Sequence, residues 1–173
     1  MKRNSFKNAI KKVLQLTIAV VLLFCTLIAS AQQKDGQLRL TKQDIMNLKS
    51  NDPKAPGSSN LSAVQEFVIA SDPSKAAFYT IIIKVAPHTK IPAHLHPDER
   101  MATVISGTWY FGYGDKFDES KLKELPAGSI YSEVKNQNHF AMTGDEPVIV
   151  AITGYGPSGV AYVNPDDDPL KHK

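Results

Sequence analysis

From Gln65 to Val163 the chain is a succession of short β-branched and aromatic runs punctuated by proline and glycine, and this pattern constrains its fold more than any other feature. The runs are Glu66 to Ala70, Ala77 to Val85, Ala93 to His96, Met101 to Ser106, Thr108 to Gly112, Ser129 to Val134, Val148 to Thr153 and Val160 to Val163. Many short strands with turn signals at this spacing close into a sandwich or a barrel, so the expected class is all-β. One helical interruption is expected at Asp118 to Leu125, where Asp118 can cap and Pro126-Ala127-Gly128 ends the turn. With 173 residues there is material for one such core and not for two. The expected organisation is a β domain over 65–168, a polar lead-in and linker over 32–64, and a short tail over 169–173. Within the lead-in, Thr41-Lys42-Gln43-Asp44 reads as a capping arrangement that opens a short helix, and Asn51 to Ser59 reads as a linker.

The N-terminal end reads as an address. Residues 1–12 are basic, Val13 to Ile28 are almost wholly apolar, and Ala29-Ser30-Ala31 offers the small residues of a peptidase site. This is the three-part secretory signal, with cleavage expected after Ala31 and a periplasmic or secreted product. The apolar run is short against the ~20 residues of a spanning helix, so no stable membrane insertion is expected after cleavage. The formal net charge of +3 is confined to this segment: Lys2, Arg3, Lys7, Lys11 and Lys12 stand there without an acid, leaving 15 basic against 17 acidic side chains, a net of −2. The basic balance therefore gives no reason to expect a nucleic-acid partner. Cys25, the single cysteine, lies in the same segment, so a cleaved chain has no disulfide, no thiolate nucleophile and no cysteine metal ligand.

Chemistry is carried by histidine. His94 and His96 are two apart in an expected strand, where alternation places both rings on one face. His139 follows in a second turn-and-strand segment. Neutral imidazoles converging from different strands suit Zn, Fe, Mn, Ni or Cu in a small β-barrel, and residue types alone do not choose among these divalent metals. His88 and His172 read as exposed bystanders.

The residues around these histidines resemble the cupins. Pro92-Ala93-His94-Leu95-His96-Pro97-Asp98-Glu99-Arg100, followed by Thr103-Val104-Ile105-Ser106-Gly107, is similar to the first cupin motif, a glycine, His-x-His, a glutamate and a closing glycine. Gly128 to His139 is similar to the second, which opens on glycine and closes on histidine. The resemblance implies a double-stranded β-helix, the jelly-roll barrel of that superfamily, with a metal on His94, His96 and His139. His88 stands at the first motif's opening glycine, Val134 and Asn136 replace the second motif's proline and glycine, and Thr143 stands where asparagine is usual. These are turn substitutions that leave the coordinating residues in place.

The acid is the open point. Glu99 is a candidate fourth ligand and catalytic group, yet strict spacing puts Arg100 at the motif's glutamate position, and alternation from His96 would turn Arg100 inward. An inward Glu99 would give three imidazoles and a carboxylate, suited to Lewis-acid or O2 chemistry. An inward Arg100 would set a fixed cation beside the imidazoles and favour an anionic ligand. Tyr79, Ile81, Val104, Trp109, Phe111, Tyr131, Phe140 and Met142 are candidates to line the cavity. Two functions remain open: a metal-dependent small-molecule oxygenase, isomerase or lyase, and a binding module that holds a small molecule or anion without turnover. Exposed strand edges of such barrels also leave room for a homodimer. No phosphate loop and no serine nucleophile motif is present.

Overall fold

The computed structural model describes residues 37–49 and 56–171. The expected signal segment, the linker residues 51–55 and His172 lie outside the described residues. Ten strands follow in order: β1 (Val64–Ala70), β2 (Phe78–Val85), β3 (Lys90–Leu95), β4 (Arg100–Ser106), β5 (Thr108–Tyr113), β6 (Lys123–Pro126), β7 (Ile130–Glu133), β8 (His139–Thr143), β9 (Val148–Tyr155) and β10 (Ala161–Tyr162). They form two five-stranded sheets, β1-β2-β9-β4-β7 and β10-β3-β8-β5-β6, with every pairing antiparallel. The all-β expectation is met.

Alternation along the strands sorts the side chains. In β4, Arg100, Ala102 and Val104 are buried while Met101 and Thr103 are exposed. In β9, Val148, Val150 and Ile152 point into the main core, with Ile81, Ile83, Val104, Trp109 and Phe111. Burying such side chains is worth about 1.5–3 kcal/mol each, and the inner faces of both sheets contribute them. A smaller apolar cluster of Phe67, Ile82 and Ile149 packs with the partly buried Ile45 and Leu48. The segment bearing Ile45 and Leu48 is held by Lys84, whose Nζ donates to the Met46 and Leu48 carbonyls at 2.8 and 3.1 Å.

The short helix expected in the lead-in is present as α1 (Lys42–Met46). Its capping is reciprocal: the Thr41 N–H donates to Asp44 Oδ2 at 2.8 Å, and the Asp44 N–H donates to Thr41 Oγ1 at 3.2 Å. The second expected helix is corrected. Asp118 does cap, accepting from the Ser120 N–H at 3.0 Å, but only a 3-10 turn, η1 (Glu119–Lys121), follows. Leu122 is already extended, and the chain continues as β6, pairing with β5 so that Leu125 lies opposite Trp109 and is buried. Helix propensity is a weak prior, and the ladder bonds and the burial of Leu125 outweigh it. β8, the strand expected to carry His139, and β6, which had no place among the expected strands, complete the second sheet.

This packing makes a direct stability prediction. Val150 is fully buried in the main core, whereas Ile130 is 65% exposed. Val150→Ala should lower stability by about 2 kcal/mol and Ile130→Ala by less than ~0.5 kcal/mol, measured by urea denaturation at neutral pH. Equal losses would contradict the assignment of inner and outer faces.

Candidate metal centre

Three strands and a turn bring the histidines together. His94 lies in β3 between β8 and β10, directly opposite His139 on one side and Tyr162 on the other. His96 follows one residue after the end of β3. Its carbonyl accepts from the Asn136 N–H at 2.8 Å, so the turn before β8 is tied to the His96 backbone. Asn136 has φ 57° and His88 has φ 55°. Each replaces a motif glycine yet keeps the left-handed backbone that glycine would supply, which is why neither substitution disturbs the site. Thr143 serves the same region: it accepts from the Thr89 N–H at 2.9 Å and donates to the Ala86 carbonyl at 2.7 Å.

All three rings are buried, and one ligand nitrogen from each lies within 4.8 Å of the others. In every ring Nδ1 is held by a backbone carbonyl. His94 bonds Pro92 at 2.8 Å, His96 bonds Gly159 at 2.6 Å, and His139 bonds Gln137 at 3.0 Å. A carbonyl only accepts, so each Nδ1 carries the proton and each Nε2 keeps its lone pair. Nε2 of His96 and of His139 are buried with no hydrogen-bond partner. Buried polar atoms are rarely left so, and three lone pairs converging on one point are what a transition metal requires.

The electrostatics agree. Burial pushes the His94 imidazole down to about 3, with His139 adding to the effect. Burial, then the Arg100 guanidinium, holds His96 well below the ordinary imidazole range. Burial likewise lowers His139. Burial thus favours the neutral, metal-competent form of each ring.

The question of the acid is settled geometrically. Arg100 is inward and buried, as strict spacing had it. Glu99 is exposed, and its carboxylate accepts from the Lys135 N–H at 3.4 Å. It takes no part in the histidine cluster, so its expected role as fourth ligand or catalytic acid is corrected: alternation from Arg100 turns it to solvent. The carboxylate beside the histidines is Glu133, in β7 directly opposite Arg100. Glu133 Oε2 lies 3.7 Å from His96 Nε2 and 4.0 Å from His139 Nε2. It accepts from Arg100 Nε at 2.6 Å and from Arg100 Nη2, while Oε1 accepts from the Tyr131 hydroxyl at 3.3 Å. Burial raises the Glu133 carboxyl, but the Arg100 guanidinium and the neighbouring histidines together outweigh it and hold the group below the usual carboxylate range. Glu133 was legible in principle: Tyr131 was expected to face the cavity, and alternation puts residue 133 on the same face.

The cavity at this centre holds about 30 Å³, room for roughly two waters. Its wall includes His94, His96, His139, Arg100, Glu133 and Glu66. Of the expected lining residues, Ile81, Trp109 and Phe111 are there. Phe140 and Met142 are not, because they alternate with His139 and Ala141 along β8 and point to the other face. His88 is an exposed bystander, with Nδ1 3.7 Å from Asp145.

Comparisons with known proteins reach the same architecture. No known family profile matches the sequence. No curated protein matches it either. Solved structures do match. RemF, a polyketide cyclase from Streptomyces resistomycificus, superposes with a TM-score of 0.56 at 16% identity, over 79% of this chain and 94% of that one. An uncharacterized conserved protein with a double-stranded β-helix domain, from Klebsiella pneumoniae, superposes with a TM-score of 0.51 at 25% identity, over 72% and 96%. The fold is the double-stranded β-helix of the cupins. In this cupin barrel the three buried histidines could hold a metal.

The lowered histidines give the metal-free barrel a signed pH dependence. Each has a folded pKa below its unfolded value near 6.5, so the unfolded chain binds more protons in the window between the two. Stability is full above about pH 6.5 and is lost as pH falls toward the folded values, by up to ~1.4 kcal/mol per pH unit for each ring. The Tm of metal-free protein should fall from pH 7 to pH 5, and His94→Gln should flatten that slope. A slope unchanged by His94→Gln would contradict the burial of a neutral ring.

Proposed function

We propose that this chain is an exported cupin that binds one divalent transition metal through Nε2 of His94, His96 and His139, and that it is a small-molecule enzyme of the isomerase or lyase type. One observation carries the reading: two partnerless imidazole nitrogens face the same point as a third ring, with an ionised carboxylate oxygen within 4.0 Å of both. When bound, the metal would supply Lewis-acid polarisation of a substrate oxygen. The chain's own residues supply the rest. Glu133, ionised at neutral pH and held by Arg100 and Tyr131, accepts a proton from the carbon next to a polarised carbonyl and returns it at another position or to a leaving group. Arg100 keeps the carboxylate in one orientation, and its charge is already matched by Glu133, which makes the site less of an anion trap than a lone guanidinium would be. Trp109, Phe111 and Ile81 keep part of the wall apolar.

A positioned base serves proton transfer directly, and the preference for an isomerase or lyase over an oxygenase rests on it. The alternative of a non-catalytic binding module uses the same three histidines and differs only in turnover. Export rests on the basic, apolar and small-residue segments of residues 1–31.

The test has two stages. Purified protein should carry close to one transition-metal ion per chain by elemental analysis, and His94→Ala with His139→Ala should lose it. Metal-loaded protein should then catalyse solvent deuterium exchange at the α-carbon of small ketones or keto acids, followed by NMR. Glu133→Gln should keep the metal and lose exchange by about 10²–10⁴-fold. Metal bound with no exchange across the panel would favour the binding module. Metal retained by the double alanine variant would overturn the ligand set.

A further inference from the structure

A cavity of about 30 Å³ admits waters, not an organic substrate. One side of it is covered by a short stretch ahead of β1. Gly57, Ser58 and Ser59 form part of the cavity wall, and Ser58 and Ser59 are 2% and 8% exposed. Among the described residues, few bonds hold this stretch to the barrel. The Tyr162 hydroxyl donates to the Ser59 carbonyl at 2.5 Å, and Arg100 Nη1 donates to the Gly57 carbonyl at a long 3.4 Å. The remaining nearby bond, from the Asn60 N–H to Ser58 Oγ at 3.2 Å, is local to the stretch. The Ser59 hydroxyl is buried without a partner. Gly57 has φ +93°, and a β-carbon there would meet Ser158 Oγ at 2.5 Å and Arg100 Nη1 at 3.1 Å, so only glycine lets the backbone lie this close to the arginine.

We infer that residues 57–59 are a displaceable strap over the three-histidine cavity, and that the Gly57 carbonyl occupies the Arg100 Nη1 donor which opening hands to an oxygen of the substrate. The inference rests on the proposed enzyme only for the word substrate; the strap itself is independent of metal and turnover. Arg100 sends Nε and Nη2 to Glu133, so Nη1 is the edge left for a ligand. In the closed state the strap thus leaves room for waters alone, and in the open one a carbonyl or carboxylate oxygen replaces the Gly57 carbonyl on Nη1. Arg100 is in this respect a specificity residue as well as the anchor of Glu133.

Trp109, the one tryptophan of the chain, lines the cavity and is 2% exposed, which makes it an internal reporter. Acrylamide quenching of its fluorescence in metal-free protein should be slight in the wild type. Tyr162→Phe, which removes the firmest tether, should raise it about fivefold, the shift in opening expected for one lost hydrogen bond. Unchanged quenching in a variant of native circular dichroism would overturn the strap. Gly57→Ala gives a second arm. A β-carbon at residue 57 would meet Ser158 Oγ at 2.5 Å and Arg100 Nη1 at 3.1 Å, so it should push the strap off the arginine and raise Trp109 quenching above the wild type, and unchanged quenching would count against the strap. Acetate, added as a hydrogen-bond-accepting probe to metal-free Tyr162→Phe, should perturb Trp109 at lower concentration than in the wild type. The same response in both would show that opening does not release Arg100. Because none of these readings needs a metal, failure of metal binding and failure of the strap are separable.

Discussion

Three hydrogen bonds from imidazole Nδ1 to backbone carbonyls determine what this molecule can do. Each carbonyl belongs to a segment whose path is set by the sheets: Pro92 by β3, Gln137 by the turn ahead of β8, and Gly159 by the approach to β10. Once Nδ1 is committed to donating, the tautomer is fixed, and the lone pair on Nε2 faces inward in all three rings. The backbone therefore sets the orientation of all three rings. Burial lowers the proton affinity of each and favours its neutral form.

Charge around the cluster is arranged with similar economy. A buried arginine beside the rings would repel a divalent ion, and Arg100 does contribute to lowering His96. Its placement opposite Glu133 in the β4–β7 register cancels that charge locally and leaves a carboxylate oxygen within 4.0 Å of two imidazole nitrogens. Breaking such a pair by removing one partner costs about 3–5 kcal/mol, because the survivor is left buried and unmatched. A second network backs the arginine: the Tyr79 hydroxyl donates to Asp98 Oδ2 at 2.7 Å and the Ser158 hydroxyl donates to Asp98 Oδ1 at 2.9 Å, with Asp98 buried two residues ahead of Arg100. Burial raises the Tyr79 phenol to about 12, so it stays a donor at any physiological pH.

Much of this was legible in the residues. Alternating apolar runs announced the strands, and the spacing of His94, His96 and His139 announced a shared site. The local signals that misled were those where tertiary pairing prevailed. Residues 118–125 carry a good cap and helix-forming side chains, yet the partner strand β5 claims the second half of the segment. Glu99 drew attention because it sits next to the motif, but one residue of strand register sends it to the opposite face. Alternation from Tyr131 places Glu133 on the cavity face, but its pairing with Arg100, 33 residues away on another strand, is displayed by no local pattern. Phe140 and Met142 show the same parity rule in reverse, being one step out of phase with His139.

The central claim is a single ion at the meeting point of three Nε2 atoms. Anomalous diffraction from crystals grown with zinc, collected on both sides of the metal edge, tests it most directly. The account predicts one strong peak inside the barrel about 2.0–2.1 Å from Nε2 of His94, His96 and His139. A barrel with no peak there, or with zinc bound only at exposed groups such as His88 and Asp145, would contradict it.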